Sequence, residues 1–250
     1  MLKPRVIPVL LLHDNGLVKT KKFSHPIYVG DPVNAVKIFN LKEVDELVFL
    51  DINASKNNTE PDYELIADIA AEAFMPFGYG GGIKNIDQIR KLLRIGVEKI
   101  IINTALENRD FIKQSVSVFG SSTIVASIDI INNGENYYLY SHTHKKINTK
   151  IEILKYIKEI ELLGVGEVLI NNVERDGMFT GYDITFLNKV SELVGIPVIG
   201  CGGARNLQDI KELIHYTGCT AAAAGSMFVF YGKHKAVLIT YPEEKELINL

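Results

Sequence analysis

The chain has 250 residues, of which 47% are hydrophobic and 23% charged, the composition of an ordinary globular protein. Its net charge is −3, which excludes the broad basic surface expected of a nucleic-acid-binding protein. Two cysteines, Cys201 and Cys219, exclude a disulfide framework and are typical of a reducing compartment, so we expect a cytoplasmic location.

The first predicted element is an apolar run that follows a basic start. The run is about seven residues long, contains a proline and lacks a small-residue cleavage site, so it predicts a buried strand and not a signal peptide. No stretch reaches the roughly 18 apolar residues that span a bilayer, so we expect no association with a membrane.

Short apolar runs and helix-like segments then alternate along the chain. The predicted strands are 5–12, 46–52, 76–79, 98–103, 123–130, 167–173, 196–201 and 220–225. Apolar residues recur at helical spacing in segments that include 62–74, 86–96, 149–164 and 207–218. Several of the apolar runs lack alternation, which is typical of parallel strands that are buried on both faces.

Eight such strands with helices between them predict an α/β fold, a single (β/α)8 TIM barrel over residues 1–250. A doubly wound open sheet is the alternative. The polar segment 132–146, in which tyrosines alternate, predicts a hairpin inserted after the fifth strand.

An internal repeat indicates that the barrel is built from two (β/α)4 half-barrel repeats, about 1–120 and 121–240. Each half carries a glycine pair after its third strand and a small polar pair after its fourth, at offsets of 121 and 122 residues. The matching residues are Gly81, Gly82, Asn103 and Thr104 in the first half, and Gly202, Gly203, Gly225 and Ser226 in the second.

These repeated residues follow predicted strands, and the C-terminal ends of strands are where barrel active sites lie. Glycine lets backbone N–H groups turn toward an anion, and a helix N-terminus favours negative charge. We therefore interpret them as two phosphate-binding sites on opposite rims, for a ligand with a phosphate at each end. Gly177, in the loop after strand six, offers a further N–H group to the second site. The alternative is that the glycines only form tight strand-to-helix turns.

Taken together, these residues resemble the cyclase subunit of imidazole glycerol phosphate synthase, a HisF-family protein of histidine biosynthesis. The resemblance runs from about residue 4 to about residue 232 and rests on ELVFLDINAS, GGGI, INTA, SIDI, ERDG…GYD and the second GG, in matching order. It implies a barrel without a cofactor that forms a heterodimer with a glutaminase (glutamine amidotransferase). Ammonia from the partner passes through the barrel core and reacts with a bisphosphorylated ribulosyl aminoimidazole carboxamide ribotide, which gives imidazole glycerol phosphate.

The same resemblance implies roles for individual residues. Asp129, which closes strand five, matches a catalytic aspartate that acts as a general acid or base. Lys19 matches the lysine of a flexible first loop, and Asp176 matches a polar residue near the substrate. Six of the residues that we assign to the two phosphate sites match the family's phosphate sites: Gly82, Asn103, Thr104, Gly177, Gly203 and Ser226.

A second set of charged residues stands at the starts of strands one, two, four and six. These residues are Arg5, Glu46, Lys99 and Glu167. The resemblance implies a ring of salt bridges that guards the ammonia entrance at the bottom of the barrel. The alternative is that the four side chains are merely solvated, since exposed ion pairs add little stability.

The chain also departs from the family pattern. Leu11 occupies the position of a second catalytic aspartate, and a leucine transfers no proton. Acid–base catalysis by a positioned group contributes about 10²–10⁴-fold in rate, so the loss should be severe. His13 and Asp14 follow, but past the predicted strand end. Three substrate-facing positions of the family also differ, at Gly78, Asn171 and Cys201.

We therefore expect a paralogue that aminates a phosphorylated substrate, of the kind associated with amidine formation on an amino sugar in surface-polysaccharide (lipopolysaccharide) pathways. One alternative is a true histidine-pathway cyclase with an unusual first strand. A second alternative is a non-catalytic scaffold that binds a phosphorylated ligand and regulates a glutaminase. His142 and His144 have the spacing of a metal-binding pair, but no third ligand is near in sequence, so we expect no metal.

Overall fold

The computed structural model describes residues 4–134 and 136–248. Eight parallel strands close into a barrel in chain order, and the pairing of β8 with β1 completes it. The strands are β1 (Arg5–His13), β2 (Leu47–Asp51), β3 (Phe77–Gly80), β4 (Lys99–Ile102), β5 (Ile124–Asn133), β6 (Glu167–Asn172), β7 (Val198–Cys201) and β8 (Ala221–Ala224). This arrangement confirms the predicted (β/α)8 barrel, and the open-sheet alternative is wrong.

Helices pack around the outside of the barrel. They are α1 (Pro32–Leu41), α2 (Tyr63–Glu72), α3 (Ile86–Ile95), α4 (Arg109–Phe119), α5 (Ile153–Glu161), α6 (Ile184–Leu193), α7 (Leu207–Tyr216) and the one-turn α8 (Glu244–Leu247). Shorter helical turns at Ala54–Asn57, Thr104–Glu107, Ser121–Thr123 and Ser226–Val229 lie in the loops.

The two halves of the barrel repeat element by element. Strands β3 and β7 are related by a shift of 121 residues at both ends, and so are helices α3 and α7. Strands β4 and β8, and the helical turns that follow them, are related by a shift of 122. Asn85 and Asn206 begin α3 and α7 in the same way, since each side chain accepts a hydrogen bond from the backbone N–H three residues later.

Insertions at the C-terminal ends of two strands add antiparallel strands to the barrel. Strands Gly16–Lys21 and Ser24–Gly30 form a hairpin beside β1, which we call the first hairpin. Strand Asn136–Ser141 pairs with the end of β5, and Lys146–Asn148 pairs with it in turn; we call this the β5 hairpin. Because this third strand continues to residue 148, α5 begins at Ile153 and not at the predicted residue 149. A further small pair joins Phe230–Tyr231 to Ala236–Val237.

Apolar side chains form two packed layers. A large cluster fills the space between the barrel and the helices, with Phe39, Phe49 and Phe186 among its fully buried members. A smaller cluster fills the barrel interior, and its members are Ile7, Val9, Val48, Ile101, Val125, Leu169, Ile199, Cys201, Ala221 and Ala223. Within the described part of the chain, no helix is long and apolar enough to cross a membrane.

Candidate active site

A cavity of about 520 Å³ opens at the C-terminal ends of the strands, and we call it the upper cavity. All the residues that we predicted for this end of the barrel line it. They are Lys19, Gly81, Gly82, Asn103, Thr104, Asp129, Asp176, Gly177, Gly202, Gly203, Gly225 and Ser226. The fold therefore brings together twelve residues that are far apart in sequence.

The two glycine turns face the cavity from opposite halves of the barrel. Gly82 has a φ of +70°, and a Cβ atom there would lie 2.6 Å from the carbonyl oxygen of Thr59. Gly203 has a φ of +105°, and its Cβ would lie 2.1 Å from the carbonyl oxygen of Gly181. Both positions require glycine, because a side chain would clash with backbone and would strain the left-handed conformation.

Asp129 lies in the wall of the cavity and is 5% exposed. The side-chain amide of Asn103 donates to Oδ2 of Asp129 at 3.0 Å and also to the carbonyl oxygen of Ser127 at 3.0 Å. Asn103 therefore orients the aspartate. We expected Asn103 as a phosphate ligand, and the structure gives its side chain a different contact.

Lys19 reaches the cavity from the first hairpin. Its ammonium group donates to the carbonyl oxygen of Val9 at 2.5 Å. Burial lowers the pKa of Lys19 to about 8, and the nearby carboxylate of Asp176 only partly opposes this effect. A Cβ at Gly225 would lie 2.5 Å from Nζ of Lys19, so the absence of a side chain there makes room for the ammonium group.

Asp176 joins the first hairpin to the loop after β6. The hydroxyl of Thr20 donates to Oδ2 of Asp176 at 2.9 Å, and the backbone N–H of Lys22 donates to its carbonyl oxygen at 3.0 Å. Burial raises the pKa of Asp176, while the Thr20 hydrogen bond and the charge of Lys19 act in the opposite direction. These contacts hold the hairpin against the mouth of the cavity.

Four charged side chains close the opposite end of the barrel, and we call them the lower ring. Nη1 of Arg5 lies 2.7 Å from Glu46, and Nη2 lies 3.0 Å from Glu167. Nζ of Lys99 lies 2.7 Å from Glu167 and 3.4 Å from Glu46. Burial lowers the pKa of Arg5, but the carboxylates of Glu167 and Glu46 outweigh this effect and raise it overall. Cations and anions thus alternate around the ring, with the apolar interior of the barrel above them.

Comparison with known proteins shows the family of this chain. The profile of the family described as histidine biosynthesis protein matches residues 5–235. The chain belongs to this family. It is 47% identical to a protein of Pseudomonas aeruginosa provisionally named imidazole glycerol phosphate synthase subunit hisF2, over 99% of both chains. It is 45% identical to a provisionally named subunit HisF of Leptospira interrogans, over 99% of both chains. Identity to the imidazole glycerol phosphate synthase subunit HisF of Streptococcus mutans is 37%, over 93% of both chains.

The chain is therefore a HisF-type barrel, which confirms the resemblance drawn from its sequence motifs. Of the four positions at which we expect departures from the family pattern, Leu11, Asn171 and Cys201 line the upper cavity. Gly78 lies deeper in the barrel, where a Cβ would be 3.1 Å from Cδ1 of Ile101.

Neither Cys201 nor the pair His13 and Asp14 supplies the upper cavity with an acid in place of Leu11. Burial raises the pKa of Cys201 to about 12, so its thiol stays protonated and is a weak nucleophile. His13 and Asp14 pair with each other, with Nδ1 and Oδ2 3.0 Å apart, and line a separate cavity of about 270 Å³.

Sequence reasoning missed the contribution of the two hairpins to the cavity. Phe23 and Tyr140 meet edge to face at 6.0 Å, so the hairpins touch across the mouth. His142 and Lys145, from the turn of the β5 hairpin, also line the cavity. Alternating tyrosines predicted the hairpin, but no local signal placed its turn over the cavity. Among the described residues, no group of three or more His, Cys, Asp or Glu side chains is placed to hold a metal ion.

Proposed function

We propose that this HisF-type barrel adds ammonia, delivered through its core by a glutaminase partner, to a phosphorylated carbonyl substrate. The observation that carries the proposal is the upper cavity itself. Glycine turns from both halves of the barrel line this one cavity, and Asp129 lies in the same wall. A ligand with anionic groups at two ends suits such a site, since glycine turns present backbone N–H groups without side chains in the way.

Side chains of the cavity have complementary tasks in such a reaction. Asp129 is held by Asn103 and is placed to exchange a proton at the reacting carbon. Lys19 supplies a buried ammonium group in the cavity wall, where its positive charge attracts an anionic substrate. Asp176 fixes the hairpin that carries Lys19.

The lower ring supports entry of ammonia from below. Its two cations and two carboxylates are bound to one another, so neither carboxylate is left unpaired to hold an ammonium ion. Above the ring the interior is apolar, and the small residues Ala221 and Ala223 of β8 lie there beside larger aliphatic side chains such as Ile7 and Leu169. Apolar walls suit a neutral molecule better than an ion.

Exposed apolar residues on the same end of the molecule support a partner there. In a (β/α)8 barrel the outer helices end beside the strand starts. Leu41, the last residue of α1, is 84% exposed, and Phe74, just past α2, is 86% exposed. Leu162 and Tyr216, at the ends of α5 and α7, are also exposed. Apolar side chains around a charged ring are what a docked glutaminase would cover in a heterodimer.

Leu11 supports a paralogue with a different acceptor. It lines the cavity at the position of an acid in the family pattern, so the proton chemistry of the histidine-pathway reaction lacks one partner. We therefore favour amination of a phosphorylated amino-sugar derivative, with amidine formation in a surface-polysaccharide pathway as the biological setting. Ammonia attacks a C=O carbon, a C–N bond forms, and the oxygen leaves with two protons as water.

The same experiment tests two other functions. The glycine turns on both rims of the upper cavity favour a true histidine-pathway cyclase, because its substrate carries two phosphates. Leu11 favours a scaffold that binds the phosphorylated ligand and only regulates the glutaminase.

Purification of the chain with a co-expressed glutaminase, followed by a ligand screen, separates these functions. Phosphorylated ketoses, phosphorylated N-acyl amino sugars and the ribulosyl bisphosphate are first tested for a rise in melting temperature. Each binder is then incubated with ammonium chloride and the products are analysed by mass spectrometry. We expect an aminated amino sugar; rapid turnover of the ribulosyl bisphosphate supports the cyclase, and binding without any product supports the scaffold. Failure of every phosphorylated compound to bind would refute the proposal.

A further inference from the structure

The turn of the β5 hairpin brings a histidine to Asp129. Nδ1 of His142 lies 3.4 Å from Oδ2 of Asp129, and both residues line the upper cavity. Hydrogen bonds of catalytic groups are commonly long before substrate binds and shorten in the complex. The geometry therefore places an imidazole and a carboxylate side by side at the centre of the proposed reaction.

The hairpin that carries His142 is anchored to the barrel. The ring of Tyr137 stacks on Phe186 with centroids 4.3 Å apart, and its hydroxyl donates to Asp183 at 3.1 Å. At the far end, Ser141 pairs with Lys146, so residues 142–145 form a tight turn. These contacts give the imidazole a defined position, which a proton-transfer group needs.

Amination of a carbonyl requires two proton movements, one from the attacking nitrogen and one to the departing oxygen. Leu11 takes no part in either. Oδ2 of Asp129 already accepts from Asn103, so this carboxylate is held in place and one further group is required. We propose that His142 is this second proton-transfer group. It takes the place of the acid that the family pattern has at the position of Leu11. This inference rests on the proposed function.

In the step itself, the ammonia nitrogen attacks the carbonyl carbon, and the C=O π electrons move to the oxygen. Asp129 accepts a hydrogen bond from Nδ1–H of His142, which leaves Nε2 as the base. Nε2 takes one proton from the attacking nitrogen, and Asp129 stabilises the imidazolium. The imidazolium returns this proton to the oxygen. A second proton then passes from the nitrogen to the same oxygen, the C–O bond breaks, water departs and a C=N bond forms. Atoms and charge balance with no further reactant.

Other candidates for the second group fit less well. Lys19 donates to the carbonyl oxygen of Val9 and sits against Gly225, so its ammonium group is already engaged. Lys145 is exposed in the same turn as His142 and suits contact with a phosphate at the cavity mouth. His144 is also exposed in this turn, but it is absent from the cavity wall as far as the structure describes the chain. It is thus a matched control.

A test of the contact needs no substrate. Long-range ¹H–¹⁵N NMR of the purified chain locates the proton on each imidazole, with His142 assigned from the His142→Gln variant. We expect the proton on Nδ1 of His142, and its transfer to Nε2 or a mixture of tautomers in Asp129→Ala, while His144 is unchanged. A proton on Nε2 in the parent chain would overturn the inference.

A test of the role uses any phosphorylated carbonyl compound that raises the melting temperature, with ammonium chloride as nitrogen donor. We expect His142→Gln to lower kcat by about 10²-fold with KM nearly constant, and His144→Gln to retain the parent rate. Adding Leu11→Asp to His142→Gln should recover about tenfold of the loss, because a carboxyl returns to the wall.

Parent-like turnover by His142→Gln refutes the role of His142 and leaves the proposed amination intact. No turnover by the parent chain refutes the proposed amination, and the catalytic role with it, while the NMR result still decides the contact between His142 and Asp129. The two failures are therefore distinguishable.

Discussion

Lys19→Met should stabilise the protein at neutral pH, because it removes an ammonium group that folding transfers out of water. The pKa of Lys19 falls from 10.5 to about 8 in the folded chain, chiefly through burial. Each pKa unit corresponds to about 1.4 kcal/mol, so the charged lysine destabilises the fold by about 3 kcal/mol at pH 7. Methionine fills the same space but loses the hydrogen bond to Val9, which contributes about 1 kcal/mol. The net expectation is a gain of about 2 kcal/mol.

The pH dependence of stability gives a sharper form of this prediction. The folded chain binds the Lys19 proton less tightly than the unfolded chain, so the unfolded state holds more protons between about pH 8 and pH 10.5. Stability of the parent chain therefore rises with pH in this window, and about 2 kcal/mol is recovered between pH 7 and pH 9.5. Lys19→Met lacks this contribution, so its advantage over the parent should shrink by that amount.

Urea denaturation of both proteins at pH 7 and pH 9.5 measures the difference, and titrating groups that do not interact with Lys19 cancel in the comparison. Lys21→Met is the matched control, since Lys21 is exposed on the same hairpin and its loss should change stability by less than about 0.5 kcal/mol. If Lys19→Met is no more stable than the parent at pH 7 and follows the same pH dependence, the assignment of a costly buried charge is refuted.

Three further predictions concern the two ends of the barrel. Glu46→Gln should lower the yield of aminated product per glutamine hydrolysed, while turnover with ammonium chloride stays within about twofold of the parent rate. An unchanged yield would argue against the lower ring as a gate for ammonia. Leu11→Asp should raise ammonia-dependent turnover of the ribulosyl bisphosphate by about 10²-fold, and no gain would contradict the proposal that Leu11 limits the cyclase reaction. Gly203→Ala should cost more than about 2 kcal/mol of unfolding free energy, because its Cβ would lie 2.1 Å from the carbonyl oxygen of Gly181. Gly232→Ala, at a φ of +72° with open space among the described residues, should cost about 1 kcal/mol, and equal losses in the two variants would contradict the argument.

Sequence reasoning predicted the features that depend on local pattern. Unbroken apolar runs predicted the parallel strands, since a strand covered on both faces needs no polar side chains. Glycine pairs at a constant offset predicted two equivalent turns, and the positive φ at Gly82 and Gly203 is the physical reason for those glycines. The starts of four strands carried the charges that meet in the lower ring.

Features that depend on contacts between distant segments could not be predicted in this way. Nothing near Asn103 in sequence shows that its amide donates a hydrogen bond to Asp129. For His142, the spacing from His144 was the only local signal, and without a third ligand near in sequence it predicted no site. The register of the β5 hairpin, set by the packing of Tyr137 on Phe186, decides where that histidine lies.

The four charges of the lower ring are divided unequally between the two half-barrel repeats. Its two acids are counterparts, since Glu46 and Glu167 are separated by the same 121 residues that relate β3 to β7. Both cations, Arg5 and Lys99, come from the first half alone, and the counterpart of Lys99 at the start of β8 is Ala221.

A symmetric barrel assembled from two copies of the first half would therefore place four cations and two anions at its floor, and would repel itself there. Two copies of the second half would supply acids with no cation from these positions. With these residues the floor is neutral only in the mixed barrel, so each half needs the charges of the other at the end where a partner is expected to dock.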